Sequence, residues 1–301
     1  MTALAQRWAG LPAAVQGPLL MTVATLFLGM MDTTVKWLST SYEPLFIVWA
    51  RYMSQAVAVA LVFAPSLRSV MRTQRLGLQV MRSGFLFVAT MLFFTGLSLM
   101  PLADVHAIAQ TAPLMITGMA ALILGEKVGP WRWLGVGLGF LGALIVIRPG
   151  SGLFGWAALL PIGASVAFAA LNIATRFLGR DESVWTTFFY TGLVGAAGAS
   201  LIVPFAWQTP EMADVPLLIL AGLFGAVGQL FLILALSAAP AAIVAPFNYT
   251  ALLWAIAFGA FVFGTVPDHW TLLGAAVIVG AGLFVQWRER LAARRTAARV
   301  V

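Results

Sequence analysis

Asp32, Lys36 and Arg51 are ionisable residues set inside otherwise apolar stretches. A carboxylate in the middle of a membrane helix costs about 2.5–3.5 kcal/mol on insertion scales, so it is rarely idle. Lys36 follows Asp32 by one helical turn and shares its face. Arg51 lies in the next apolar stretch at a similar depth. Asp32 is therefore expected to form a compensated cluster with Lys36 or Arg51. Such a cluster either locks two helices together, or closes an outer gate, or meets the charges of a zwitterion, or passes a proton through Asp32. His106 and Gln110 stand one turn apart in a later stretch, with Thr111 adjacent. A histidine there is either a proton carrier near neutral pH or a plain donor holding its helix to a neighbour. Asp104 is expected to be a cap or a surface charge, and His269 an interfacial residue.

Asn172, Gln229, Asn248 and Tyr249 are further polar groups inside apolar runs, and they serve either interhelical hydrogen bonding or substrate contact. Phe93, Phe94, Phe168, Phe247 and Trp254 are candidates for an apolar lining. Pro113, Pro161 and Pro246 fall inside runs, where a proline removes one backbone bond and frees the carbonyl four residues earlier. For Pro113 and Pro246 those carbonyls belong to Ala109 and Ala242. Breaks of this kind are tolerated where they line a cavity or are rescued by neighbours, so these prolines are hinges, liganding backbone or packing kinks.

The elements that position these residues follow from hydropathy. Hydrophobic residues are 61% of the chain and charged residues 9%, against roughly half and a quarter in soluble domains. The chain is integral to a membrane. Runs of about 20 apolar residues can span a bilayer as helices. They occur at 18–38, 44–64, 78–99, 102–124, 130–148, 153–177, 184–203, 214–237, 240–263 and 268–287, ten in all. Pro18, Pro44, Pro130 and Pro240 sit near the expected helix starts, where a missing N–H costs nothing.

Charge sets orientation, because cytoplasmic loops collect Lys and Arg. With the N-terminus in the cytoplasm, that side holds Arg7, Arg68, Arg72, Arg75, Arg82, Lys127, Arg132, Arg176, Arg180, Arg288, Arg290, Arg294, Arg295 and Arg299. Lys36, Arg51 and Arg148 are the only others among 17. Both termini are expected to be cytoplasmic, with a basic tail at 288–301. The net charge of +7 is thus explained by topology rather than by nucleic acid. No cleavable signal peptide is evident.

The chain repeats itself. At a shift of 139, Pro101 falls on Pro240, Thr111 on Thr250, Gly125 on Gly264, Trp131 on Trp270 and Gly135 on Gly274. Near the start the shift is 140, placing Asp32 on Asn172 and Lys36 on Arg176. Five spans in 1–150 and five in 151–301 make each half an odd number, so equivalent helices run in opposite directions. This is an all-α, 5+5 inverted-topology repeat, an arrangement that places a carrier's site near the midplane between the halves. Gly135 and Gly139 form a GxxxG that serves internal packing or dimerisation, so both monomer and homodimer stay open.

Absences narrow the function. There is no cysteine, hence no thiolate site. There is no P-loop, HExxH or GxSxG pattern. With two histidines, neither a zinc site nor another cofactor is expected. A membrane-embedded enzyme needs a catalytic pair at facing depths, and Asp32 with a distant His106 is the nearest approach to one.

The segment AIAQTAPLMITGMAALILGEKVGPWRWLGVGLGFLGALIVI (107–147) resembles the repeat of the EamA group in the drug/metabolite transporter superfamily. The shared marks are a small-residue helix, an LGE-type turn, a Trp and a Gly-rich helix. Ala50-Arg51-Tyr52 resembles the group's Arg-aromatic pair. The second repeat departs from it, with Gly264-Thr265 in place of Gly-Glu. The resemblance implies a ten-helix carrier working by alternating access, with helices 1, 3, 4, 6, 8 and 9 around a central cavity and helices 5 and 10 as scaffold. Within the superfamily the chain looks most like bacterial amino acid exporters, especially the aromatic branch. The implied function is export of small organic metabolites, most of all amino acids, across the inner membrane. A vitamin, nucleotide-like compound or cationic drug is the alternative cargo, and protons are the candidate coupling ion.

Overall fold

The computed structural model describes residues 12–64, 67–125, 129–148, 155–178, 182–239 and 241–300, with the backbone alone from 289 onward. Arg7, the turn at Glu126, Lys127 and Val128, Arg180 and Pro240 lie outside the described residues. Among those described, nine helices are long and apolar enough to cross a membrane, and the fifth adds a shorter apolar one. The chain is a multi-pass membrane protein with the ten-helix, 5+5 repeat fold. Leu122, Phe205 and Phe261 are 80%, 89% and 88% exposed, which suits a surface facing lipid rather than water.

Helix 1 is Ala13–Leu38, helix 2 Pro44–Phe63 and helix 3 Leu76–Leu99. Helix 1 starts earlier than expected and keeps Pro18 inside it, where the Pro18 carbonyl accepts from Thr22 Oγ1 at 3.0 Å. Helix 4 is broken into 4a, Leu102–Ala109, and 4b, Ala112–Ile123. At the break the Thr111 N–H and hydroxyl both turn back to the Ile108 carbonyl, at 3.0 and 2.7 Å. This tightened turn lets the chain enter 4b with Pro113 near its start, where no N–H is needed.

Helix 5 is Pro130–Ile147, helix 6 Leu159–Leu178, helix 7 Val184–Ile202 and helix 8 Val215–Ala238. Helix 6 corrects the expectation for Pro161. That residue stands in the first turn of the α-helix, after a 3-10 turn at Gly155–Ala158, and does not interrupt it. Helix 9 comprises 9a, Ala241–Val244, a 3-10 turn at Ala245–Tyr249 containing Pro246, and 9b, Thr250–Phe263. Helix 10 is His269–Val300, so the basic tail continues the helix.

The packing obeys the repeat. Helix 1 lies along helix 8 and helix 3 along helix 6, which are equivalent pairs under the exchange of halves. Helix 1 with 9b matches helix 6 with 4b in the same way. Helices 5 and 10 form their own pair. A Cβ at Gly274 would lie 2.6 Å from the Gly142 carbonyl oxygen, and one at Gly142 would lie 2.9 Å from the Gly274 carbonyl oxygen. Gly135 faces Val285 and Gly139 faces Leu114, so the GxxxG is used within the chain.

One set of contacts breaks the symmetry. The end holding Arg68, Arg72, Arg75 and Arg288 is the arginine-rich face, and the other end holds Arg148 and Asp268. At that second face, 4a packs on 9b, on helix 10 and on helix 1. Toward the arginine-rich face, 4b packs on helices 5 and 6, while 9a and its 3-10 turn pack on helix 1. Among the described residues 4b and 9a do not meet to a comparable degree. The two broken helices form a V that opens toward the arginine-rich face.

Gly274→Val is expected to cost the fold about 1–3 kcal/mol through overpacking, because backbone stands where its side chain would go. Gly137→Ala, with open space around it, is expected to leave stability unchanged. Thermal unfolding in detergent checks both, and equal melting temperatures for the two variants would contradict this packing.

Candidate functional site

The apex of the V holds the buried polar groups. Asp32 and His106 are 3% and 7% exposed. Asp32 Oδ2 lies 3.1 Å from His106 Nε2. Among the described residues His106 Nε2 makes no formed hydrogen bond, so the contact is a close polar approach of imidazole and carboxylate. Phe93 meets the imidazole edge-on with centroids 5.3 Å apart. Asp32 Oδ1 is buried with no hydrogen-bond partner among the described residues.

This corrects the expected cluster of Asp32 with Lys36 or Arg51. Lys36 is drawn to backbone instead, and its Nζ donates to the carbonyls of Leu97 at 2.9 Å and Met100 at 2.8 Å. Pro101 has no N–H, so Leu97 C=O lacks its own helical partner, and the ammonium fills that place. Arg51 lies on another side of helix 1. Its Nε donates to Met31 Sδ at 3.3 Å, and its guanidinium sits 4.5 Å from the Tyr52 ring centroid and 5.8 Å from that of Phe94. Successive helix residues point about 100° apart, which separates Met31, facing Arg51, from Asp32, facing His106.

The two helix breaks touch. Gln110 Nε2 donates to the Asn248 carbonyl at 3.4 Å, and Asn248 Nδ2 to Gln110 Oε1 at 3.5 Å. These are long bonds, so both carboxamides keep most of their capacity for other partners. Trp254 stacks on Phe258, and its Nε1 is buried without a partner among the described residues. The Phe258 ring and the Trp254 Cβ lie against Gly29, one turn before Asp32.

Other candidates stand elsewhere. Gln229 bonds Gln55 across helices 8 and 2 at 3.1 Å. Asn172 donates to the Phe168 carbonyl of its own helix. Tyr249 turns its hydroxyl onto Gly282 of helix 10, where any Cβ would collide with it. Asp104 is not a surface cap. It is 6% exposed and accepts a 2.6 Å bond from Thr271 Oγ1. Phe94 lies beside Arg51, and Phe168 and Phe247 are 37% and 39% exposed.

Two hydroxyl pairs were not anticipated. Thr25 and Thr250 join helices 1 and 9b at 2.7 Å, and Ser165 and Thr111 join helices 6 and 4 at 3.4 Å. They are repeat equivalents, since Thr25 plus 140 is Ser165 and Thr111 plus 139 is Thr250. Ser165 Oγ also reaches the Ala109 carbonyl freed by Pro113, at 3.4 Å.

Above the apex the arginine-poor face is tied shut. Arg148 Nη1 pairs with Asp268 Oδ2 at 2.6 Å, and Thr271 N donates to Asp268 Oδ1 at 2.8 Å. The Thr271 N–H and the Arg148 guanidinium hold the Asp268 carboxyl below the usual carboxylate range. Its stabilising effect is therefore complete at neutral pH and is lost as pH falls through that lowered value. Tyr42 Oη donates to Asp214 Oδ2 at 2.8 Å, linking the helix 1–2 and 7–8 loops.

Ten membrane helices in inverted halves, two of them broken around a buried polar apex, define the class of secondary membrane transporters. The chain belongs to the EamA-like transporter family, whose pattern matches residues 15–148 and again 155–287. A riboflavin transporter of Rhizobium johnstonii is 33% identical over 299 residues, covering 94% of this chain and 95% of that one. A riboflavin transporter of Vibrio cholerae is 31% identical, covering 93% and 96%. An S-adenosylmethionine uptake transporter of Rickettsia felis is 27% identical, covering 88% and 90%. A crystal structure 22% identical in sequence superposes with a TM-score of 0.63 over 93% of this chain and 98% of its own, which shows the shared fold.

Removing one partner of a buried polar contact leaves the other desolvated and unpaired, at a cost of about 1–3 kcal/mol, whereas removing both costs less than the sum. Asp32→Ala and His106→Ala are each expected to lower the melting temperature, and the double variant to fall no further than the worse single one. Additive losses in the same melts would show that the two groups are not coupled.

Proposed function

We propose that this protein is a secondary carrier for a flat, ring-bearing metabolite of the vitamin kind, with riboflavin the first candidate. It works by alternating access across the bacterial inner membrane. The observation that carries this reading is the apex itself, a buried polar site at the meeting of two helix breaks, closed over on one face and diverging toward the other. The halves 1–150 and 151–301 act as the two repeat units, and both termini are cytoplasmic. The concentration of Lys and Arg at one face supports that orientation.

Asp32, His106, Gln110, Asn248 and Trp254 form the substrate site in this reading. Unengaged acceptor and donor atoms on Asp32 and Trp254 and the loosely bonded carboxamides suit a neutral heterocycle with polar edges. Phe93 and Phe258 supply flat apolar surface. The names of the relatives support a vitamin or nucleoside-like cargo over the amino acids expected from sequence resemblance. Asp32 with His106 is the proposed proton site, because the carboxylate and the imidazole approach to 3.1 Å between helices that separate when the closed face opens.

Proteoliposomes loaded with riboflavin, S-adenosylmethionine or phenylalanine separate the readings. Saturable riboflavin flux with counterflow and no chemical change is expected. Flux of phenylalanine without riboflavin would restore the amino acid reading, and chemical conversion of riboflavin without flux would point to an enzyme.

A further inference from the structure

Lys36 closes the arginine-poor face by capping the end of helix 3, and the repeat places a matching device at the other face. Helix 3 ends at Leu99 and helix 8 at Ala238, with the same geometry. The N–H of Met100 returns to the Gly96 carbonyl, and that of Ala239 to the Ala235 carbonyl. Proline follows in both cases, Pro101 and Pro240. Proline has no N–H, so Leu236 C=O, like Leu97 C=O, lacks a helical donor. Helices 1 and 6 likewise end alike, at Leu38 and Leu178. Lys36 plus 140 is Arg176, one turn before the end of helix 6.

The two halves differ at this point. Helix 1 packs on helix 3, which brings Lys36 to its carbonyls, whereas among the described residues helix 6 and helix 8 do not pack to a comparable degree. Arg176 is exposed at the arginine-rich face. In a carrier built from inverted repeats, the opposite-facing state is reached when the halves exchange conformations. That exchange would bring helix 6 onto helix 8.

We propose that Arg176 is a positioning residue which, in the opposite-facing state, caps the carbonyls of Leu236 and Ala239 as Lys36 now caps those of Leu97 and Met100. The proposal rests on the alternating-access reading but not on any particular substrate. Lys36 and Arg176 are then opposed latches. Each meets the negative end of a helix dipole, and each supplies donors to carbonyls that a proline has left open. Arginine suits the wetter face, since its fixed fork of donors spans two carbonyls without further ordering.

The test uses the absence of cysteine in the chain. Asn172→Cys introduces a sole thiol on helix 6 at the repeat equivalent of Asp32, a half-buried position whose side-chain hydrogen bond is open to solvent in the present state. The full chain in nanodiscs is labelled with a membrane-impermeant maleimide. Adding Lys36→Ala is expected to slow labelling about tenfold, the shift that follows from losing one charged hydrogen-bonded contact. Adding Arg176→Ala to that variant should restore the fast rate, and Arg176→Lys should keep it slow. Lys36→Met keeps the side-chain stem and replaces Lys36→Ala if that variant does not fold. Slow labelling that persists with Arg176→Ala would overturn the proposal, as would unchanged labelling with either Lys36 variant. Riboflavin counterflow by the wild type, measured separately, distinguishes a wrong substrate from a wrong latch. Labelling responds to the latches whatever the cargo, whereas a chain that does not alternate shows neither response nor counterflow of any cargo.

Discussion

In hydrocarbon every backbone polar group must find its partner within the protein, and Pro101 and Pro113 each remove one. Much of the arrangement answers that constraint. Lys36 reaches across from helix 1 to fill the place beside the Leu97 carbonyl. Ser165 reaches from helix 6 toward the Ala109 carbonyl. Each repair draws two helices together, so a local deficit in the backbone fixes tertiary packing. Because Lys36 is taken by helix 3, Asp32 is left to meet His106, and the polar apex follows.

The contacts sort by symmetry into two kinds. Those with repeat equivalents, such as helix 1 on 8 with helix 3 on 6, hold groups of helices together irrespective of which face is open. Those without equivalents, 4a on 9b and helix 1 on helix 3, close one face. Asp32–His106 belongs to the second kind, since its repeat equivalents are Asn172 and Ala245, which cannot form an ion pair. The proposed substrate groups therefore sit on a closure that has no charged counterpart in the repeat-related position.

Much of this was legible in the sequence, for stated physical reasons. Apolar runs of spanning length fixed the number of helices, and fixed shifts of 139 and 140 fixed their relation. The depth of Asp32 and Arg51 was also readable. Their azimuth was not, because which way a helix turns a residue is decided by neighbours distant in the chain. Met31 and Asp32 are adjacent, yet one faces Arg51 and the other His106. Tyr249 was misplaced for the same reason, since only the packing shows that Gly282 leaves room for its hydroxyl. The Thr25–Thr250 and Ser165–Thr111 pairs were within reach. Thr111 and Thr250 already matched in the repeat, and the shift of 140 carries Thr25 onto Ser165.

Two other cavities flank the bundle, one of about 570 Å³ bordered by Trp49, Ser200, Val203, Pro204 and Trp207, the other of about 460 Å³ between helices 4 and 5, reaching the helix 4 break at Thr111 and bordered by Trp133 and Phe140. The proposed substrate site is the apex and neither of these. A cryo-EM structure of the full chain in nanodiscs with saturating riboflavin tests it most directly. Ligand density touching Asp32, His106, Gln110 and Asn248 is the predicted result. Density beside Trp49 and Trp207, with the apex contacts unchanged, would contradict it.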